Sequence, residues 1–340
     1  VHLGQLTPAA TKPATRTDSR MRPRSLAVAG GIVVAVLVAG MAVAGVGPLL
    51  QGLVDGLRLG LVIALAAIGL SLIFSTTGLV NFAHGSLVTF GAVMALYLNT
   101  MDGGPRLNLY LAALIAVCLG GIVAGFAEVA IFGPMRRANL PHLSLLVATI
   151  GLDMFGRNAI LYFVGSRPRP FLAYQVQERI QIGGLSVAPR DLVMMALAVA
   201  ALVGVAVMLQ LTTLGRAVRA VADNGPLAEA SGISTRFVYI AVWVIGGALA
   251  ALGGIFHGMS EQVSWNGGFL LLLLMFAAVI VGGIGSAYGA MAGGILIGVV
   301  TQVSTLFLPS QLKNAVAMLV LILALLLRPQ GLFGRKVRVG

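Results

Sequence analysis

Charge is what this chain has least of. Only 9% of its 340 residues are Asp, Glu, Lys or Arg, while 59% are hydrophobic. Soluble domains carry about 25% charged residues, so this composition cannot cover a water-facing surface. Cysteine is nearly absent. Cys118 stands alone within an apolar run, which excludes an intrachain disulfide and reads as a small buried residue. His2, His84, His142 and His257 lie far apart, without ligand spacing, so no metal site is expected. The lysines are Lys12, Lys313 and Lys336 alone, and no Gly-x-x-x-x-Gly-Lys loop exists, so nucleotide binding has no seat in this chain. No nucleophile–base pair or paired catalytic carboxylates stand in a loop, which argues against an enzyme.

What is present is a series of long, continuous apolar runs, each ending at Arg, Pro or Gly. Continuous runs specify helices rather than barrel strands. The expected fold is all-α: a polytopic transmembrane bundle of about ten spans, with broken Gly-rich helices. Residues 1–25 are polar and read as a disordered tail. The run at 26–47 is open to two readings, a first membrane helix or a signal sequence ending near Ala42-Val43-Ala44; cleavage would leave nine spans. Further helices are expected over 52–74, 83–99, 108–132, 143–164, 190–212, 237–258, 268–283, 287–308 and 314–328.

The net charge of +12 lies in short Arg clusters between runs. A nucleic-acid surface would need them on one face; the positive-inside rule puts them in cytoplasmic loops. Alternation from Arg22 places Arg136-Arg137, the Arg216–Arg236 loop and the basic tail at 331–340 inside, so the C-terminus is expected in the cytoplasm. Arg167, Arg169, Arg179 and Arg190 then fall outside, against the trend. Two Gly-rich turns echo one another: GLVNFAHGSLVTFG at 78–91 and GGIGSAYGAMAGG at 282–294, which predicts a parallel repeat.

The longest polar segment on the expected inner side is TLGRAVRAVADNGPLAEASGISTR, 213–236. Its composition favours a helix. Gly225-Pro226 can open a second short helix and Gly232 can close it. Two readings stand: a helix that docks in a groove of a soluble partner, or a solvated connection.

This segment resembles the coupling loop of ABC-importer permeases, with Glu229-Ala230-Ser231-Gly232 in place of the Glu-Ala-Ala…Gly signature. GLVNFAHGSLVTFGA at 78–92, Glu128 with Gly133-Pro134-Met135-Arg136-Arg137, VGGIGSAYGAMAGGILIG at 281–298 and RPQGLFGR at 328–335 resemble the branched-chain amino-acid permease family. The resemblance covers about 50–335 and implies a permease domain over 48–330. It implies an importer subunit of the bacterial cytoplasmic (inner) membrane. Its partners would be cytoplasmic ATP-binding subunits carrying ATP and Mg, a second permease or a second copy, an external substrate-binding protein and the lipid bilayer. The chain itself would bind no cofactor. The ATPase-coupling residues would be Arg216, Arg219, Asp223, Pro226, Glu229 and Gly232. Leu274 stands where family members often carry Lys, and Pro226 lies one place later than usual. The solute implied by the resemblance would be a hydrophobic amino acid, with urea or a short amide as the alternative, and an ion-coupled carrier as the alternative of another class.

Ionisable groups within spans cost about 2.5–3.5 kcal/mol each on insertion scales, so they face protein. Asp153 and Arg157 share a helix face: an ion pair, or a lining of the path. Glu128 and Arg136 read as a structural pair, and Asp55 and Arg58 as interfacial. The candidate substrate path is Asn81, Phe82, His84, Gly85, Ser86, Asp153, Gly283, Gly285 and Ser286, because unwound backbone at membrane depth can offer N–H and C=O groups to a zwitterion. Trp243 and Trp265 are expected as interface anchors.

Overall fold

A computed structural model describes residues 45–101, 104–171, 178–327 and 331–332. The first apolar run and most of the basic tail lie outside the described residues. Among the described residues nine helices follow the nine expected stretches: α1 Val46–Thr77, α2 His84–Asn99, α3 Leu109–Arg137, α4 His142–Val164, α5 Pro189–Leu211, then, beyond a surface helix α6 Thr213–Ala230, α7 Thr235–Ser260, α8 Gly267–Gly282, α9 Ala287–Ser304 and α10 Lys313–Leu327. Six of them (α1, α3, α4, α5, α7 and α9) are long and apolar enough to cross a membrane by length and composition. A small hairpin, β1 Ile180–Ile182 with β2 Leu185–Val187, precedes α5.

Glycine sets the centre. Gly56 and Gly60 on α1 face Gly294 and Gly298 on α9, and a Cβ on Gly298 would lie 2.2 Å from the Cα of Gly60. Two such small-xxx-small stripes let backbones touch, which is how helices associate where lipid offers no hydrophobic gain. The apolar stretch of α1 is 78% buried against 17% in α4, so α1 is an axis and α4 a peripheral helix. Cys118, expected in the interior, is exposed on the outer side of α3.

The antiparallel contacts define two ends. Gly246 of α7 meets Gly69 of α1, and Ser75 meets Gly285. The end of α1, the start of α7 and the turn at 283–286 therefore share one end. Arg136 joins them over Tyr239, and Leu332 N–H donates to the Val281 carbonyl there. The other end carries Arg58 bonded to Asp191 at 2.6 Å, Lys313 bonded to Glu261 at 2.5 Å and the bridge between Arg169 and Val263. α1–α2 and α8–α9 run in the same directions, as a parallel repeat requires.

Candidate functional site

Two regions hold the sequence-predicted residues. The first is the α1–α2 connection. Gly78 closes α1 in the left-handed region at φ 67°, and the chain turns back beside its own helix. His84 Nε2 pairs with the carbonyl oxygen of Ala66 at 3.0 Å, three turns before the end of α1, so α2 starts inside the bundle. Asn81 and His84 are fully buried. Both amide atoms of Asn81, and His84 Nδ1, have no protein partner. Phe82 packs on Phe276 of α8, with centroids 5.2 Å apart. Gly85 lets α2 approach Gly268, whose N–H donates to Thr89 Oγ1 at 3.0 Å.

Ser86 Oγ donates to Asp153 Oδ1 at 2.5 Å, and Arg157 Nε lies 2.8 Å from Asp153 Oδ2. The Arg157 guanidinium rests 4.2 Å above the Phe269 ring centre. Asp153 therefore joins the Asn81–Ser86 turn, and its charge is offset within the helix. Gly283, Gly285 and Ser286 do not join it. They form the tight α8–α9 turn at the bundle end, with φ of 114° and 80° at the two glycines, and Ser286 Oγ accepts from Gly289 N–H at 3.0 Å. The two echoing turns thus lie at different depths. The sequence reading missed Thr149, whose hydroxyl reaches the Val80 carbonyl at 3.4 Å; its signal was the i,i+4 spacing from Asp153. Two small cavities of about 30 and 10 Å³ flank His257 toward the opposite end, the larger with room for about one or two waters.

The second region is α6. The helix breaks at Asn224, with φ −160° and ψ 95°. Asn224 Oδ1 accepts from Leu227 N–H at 3.1 Å and caps a short second segment that opens at Gly225-Pro226. Gly232, at φ 85°, ends it, while Ile233 N–H returns to the Ala228 carbonyl at 3.0 Å. Val218, Val221 and Ala228 are buried, whereas Arg216, Arg219, Asp223, Pro226, Leu227 and Glu229 are exposed. Arg219 donates to the Leu209 carbonyl, tying α6 to the end of α5. The outward face thus mixes charge with an apolar Leu227, as a docking ridge does.

One further expectation is corrected and another holds. Trp243 is no interface anchor: it is fully buried and stacks on Phe132 at 4.8 Å, because its helix face meets α3 rather than lipid. Glu128 does pair with Arg136, as expected. Among the described residues no three His, Cys, Asp or Glu side chains gather to hold a metal.

Comparison with known proteins covers the stretch that holds both regions. The sequence profile described as branched-chain amino acid transport system, permease component, matches residues 52–325. The high-affinity branched-chain amino acid transport system permease protein BraD of Pseudomonas aeruginosa is 33% identical over 298 residues, spanning 84% of this chain and 96% of that protein. LivH of Escherichia coli, a permease protein of the same kind of system, is 32% identical over 305 residues, with 84% and 96% covered. The probable branched-chain amino acid transport permease protein LivH of Methanocaldococcus jannaschii is 29% identical over 288 residues, with 80% and 88% covered.

Proposed function

The chain belongs to the permease-component family of branched-chain amino acid transport systems, and from that premise we propose that it is the membrane-spanning subunit of an ATP-driven importer of hydrophobic, branched-chain amino acids. It is a multi-pass membrane protein, and hydrolysis belongs to partner subunits. The nine helices alternate in direction through the bilayer, with α2 a half-helix that starts within it, and the end bearing α6 faces the cytoplasm.

The observation that carries the mechanism is α6: an elbowed, amphipathic helix at the Arg136 end, with Arg216, Pro226, Leu227 and Glu229 turned outward. Two cytoplasmic ATPase subunits grip such ridges, one on this chain and one on its permease partner. Their closure on ATP with Mg favours one arrangement of the bundle, since a partner shifts an equilibrium only by binding one state better than the other. A binding protein delivers the solute at the opposite end. The path runs by the Asn81–Ser86 turn, where the unpartnered amide of Asn81 and the positive N-terminus of α2 suit a carboxylate. An ion-coupled carrier would use free carboxylates within its spans, whereas Asp153 and Glu128 each sit against an arginine.

The test is substitution of Glu229 and Gly232 together, to Ala and Val. Uptake should fall away while the chain still inserts, and ATP hydrolysis should cease to respond to the loaded binding protein. Uptake equal to that of the unaltered protein rules out the role assigned to α6.

A further inference from the structure

Helix α3 does not run regularly to its end. Over Glu128–Phe132 it widens into a π-turn, and Gly133 N–H reaches back to the Glu128 carbonyl. Pro134 gives the cause: it has no N–H for the Ala130 carbonyl, and its ring would press on that oxygen. The turn leaves no room for a side chain at 133, where a Cβ would lie 2.9 Å from the Glu128 oxygen. Such turns are rare and concentrate at functional positions.

This turn is held by charge from below and by aromatic packing from the side. Glu128 is 3% exposed. One of its carboxylate oxygens meets Arg136, and the other has no partner. The Arg136 guanidinium lies 4.6 Å above the centre of the Tyr239 ring. One turn further along α7, Trp243 stacks on Phe132 within the π-turn itself. The hydroxyl end of Tyr239 in turn borders Gly225, 3.8 Å from where a Cβ would stand. Gly225 is the residue after the break in α6. Tyr239 thus stands between the elbow of α6 and Arg136, which pairs with Glu128.

We propose that Tyr239, Arg136 and Glu128 form the linkage that carries displacement of the α6 elbow into helix α3, with the π-turn at Glu128–Phe132 as the joint that yields. The proposal rests on α6 being the handle of the partner ATPases. A buried carboxylate stripped of its partner is strongly destabilised, so Arg136 stays with Glu128 and a push on Tyr239 is passed on rather than absorbed. A π-turn holds one residue more than an α-turn; moving it along α3 turns the residues it passes by about 100° and shifts them by about 1.5 Å, and resolving it into α-helix does the same to the whole following segment. That supplies the two-state element which coupling requires.

The experiment uses the full chain, co-expressed with its ATPase subunits and second permease and reconstituted in vesicles with the binding protein. Leucine uptake and ATP hydrolysis are measured together for Tyr239→Leu, Tyr239→Phe and Glu128→Gln. Tyr239→Leu and Glu128→Gln should still co-purify with the ATPases and keep basal hydrolysis, while leucine moved per ATP falls about tenfold. Tyr239→Phe, which keeps the ring beneath Arg136 but removes the hydroxyl that borders Gly225, should lose less coupling than Tyr239→Leu. If Glu128→Gln is not recovered from the membrane, Arg136→Lys carries the same expectation, because it keeps the charge and gives up the planar stack. Unchanged coupling in Tyr239→Leu overturns the proposal. So does loss of the ATPases from that variant, which would make Tyr239 a docking residue. An unaltered complex in which leucine never stimulates hydrolysis removes the premise about α6, a separate failure from intact coupling in the variants.

Discussion

Gly254 shows how much one atom decides in a bundle this close. A Cβ there would sit 1.9 Å from the Val88 carbonyl oxygen, so Gly254→Ala must push α7 away from α2. Overpacking of this kind costs about 1–3 kcal/mol, and thermal denaturation in detergent should register it as a lower midpoint. Gly204 on α5 has nothing within 4 Å of its Cβ position, and Gly204→Ala should leave that midpoint unchanged or raise it. Glu261, past the end of α7, makes a different residue-scale case. Burial pushes its carboxyl up, but the Lys313 hydrogen bond and the charges of His257, Lys313 and Arg58 outweigh it, leaving the group below its ordinary 4.5. A depressed carboxylate stabilises the fold above its unfolded-state pKa, and the contribution disappears as pH falls through the folded-state value. The Lys313→Met protein should therefore melt below the unaltered one at pH 7, and the two should converge in acid. The difference should be small, since half-exposed pairs are screened by water.

At the scale of the element, α6 was legible in outline. Gly225-Pro226 as an opening and Gly232 as a close follow from the backbone rules for proline and glycine, and the structure bears them at those residues. The break at Asn224 was not legible, because nothing in the local sequence distinguishes an Asn that caps from one that points to solvent. Removing the cap with Asn224→Ala should cost about 1 kcal/mol, seen as faster hydrogen exchange at the amides of 227–230 with the rest of α6 unaffected. α3 teaches the same lesson more sharply. Pro134 announces an interruption, yet the helix widens by one residue and continues to Arg137, because Glu128, Arg136 and the aromatic side chains of α7 hold the continuation in place.

At the scale of the molecule, the ends of the bundle are set by which helices run antiparallel. Residues 136–137, 216–236 and 283–286 share one end, and the β1–β2 hairpin joins the other through the bond of Ser186 N–H to Gln51 Oε1. With Cys118 replaced by Ser, a single cysteine at Ser231 should react with an impermeant thiol reagent only in inside-out vesicles. A single cysteine at Gln181 should react only in right-side-out cells. Reversal of the pair would put α6 where no ATPase can reach it.

The amino-acid order by itself determined the class, the order and approximate positions of the helices within the described region and the helical surface segment between α5 and α7. These depend on transfer from water, a property summed along some twenty consecutive residues and therefore readable along the chain. Only tertiary structure decided which side of each helix meets protein. Lipid is as apolar as leucine, so hydrophobicity cannot tell Trp243 in the core from Cys118 at the rim. Nor could spacing bring Glu128, Tyr239 and Gly225 together, since they lie on three helices, and the register of α3 on α7 is fixed by backbone contact at Gly120, Gly121 and Gly247.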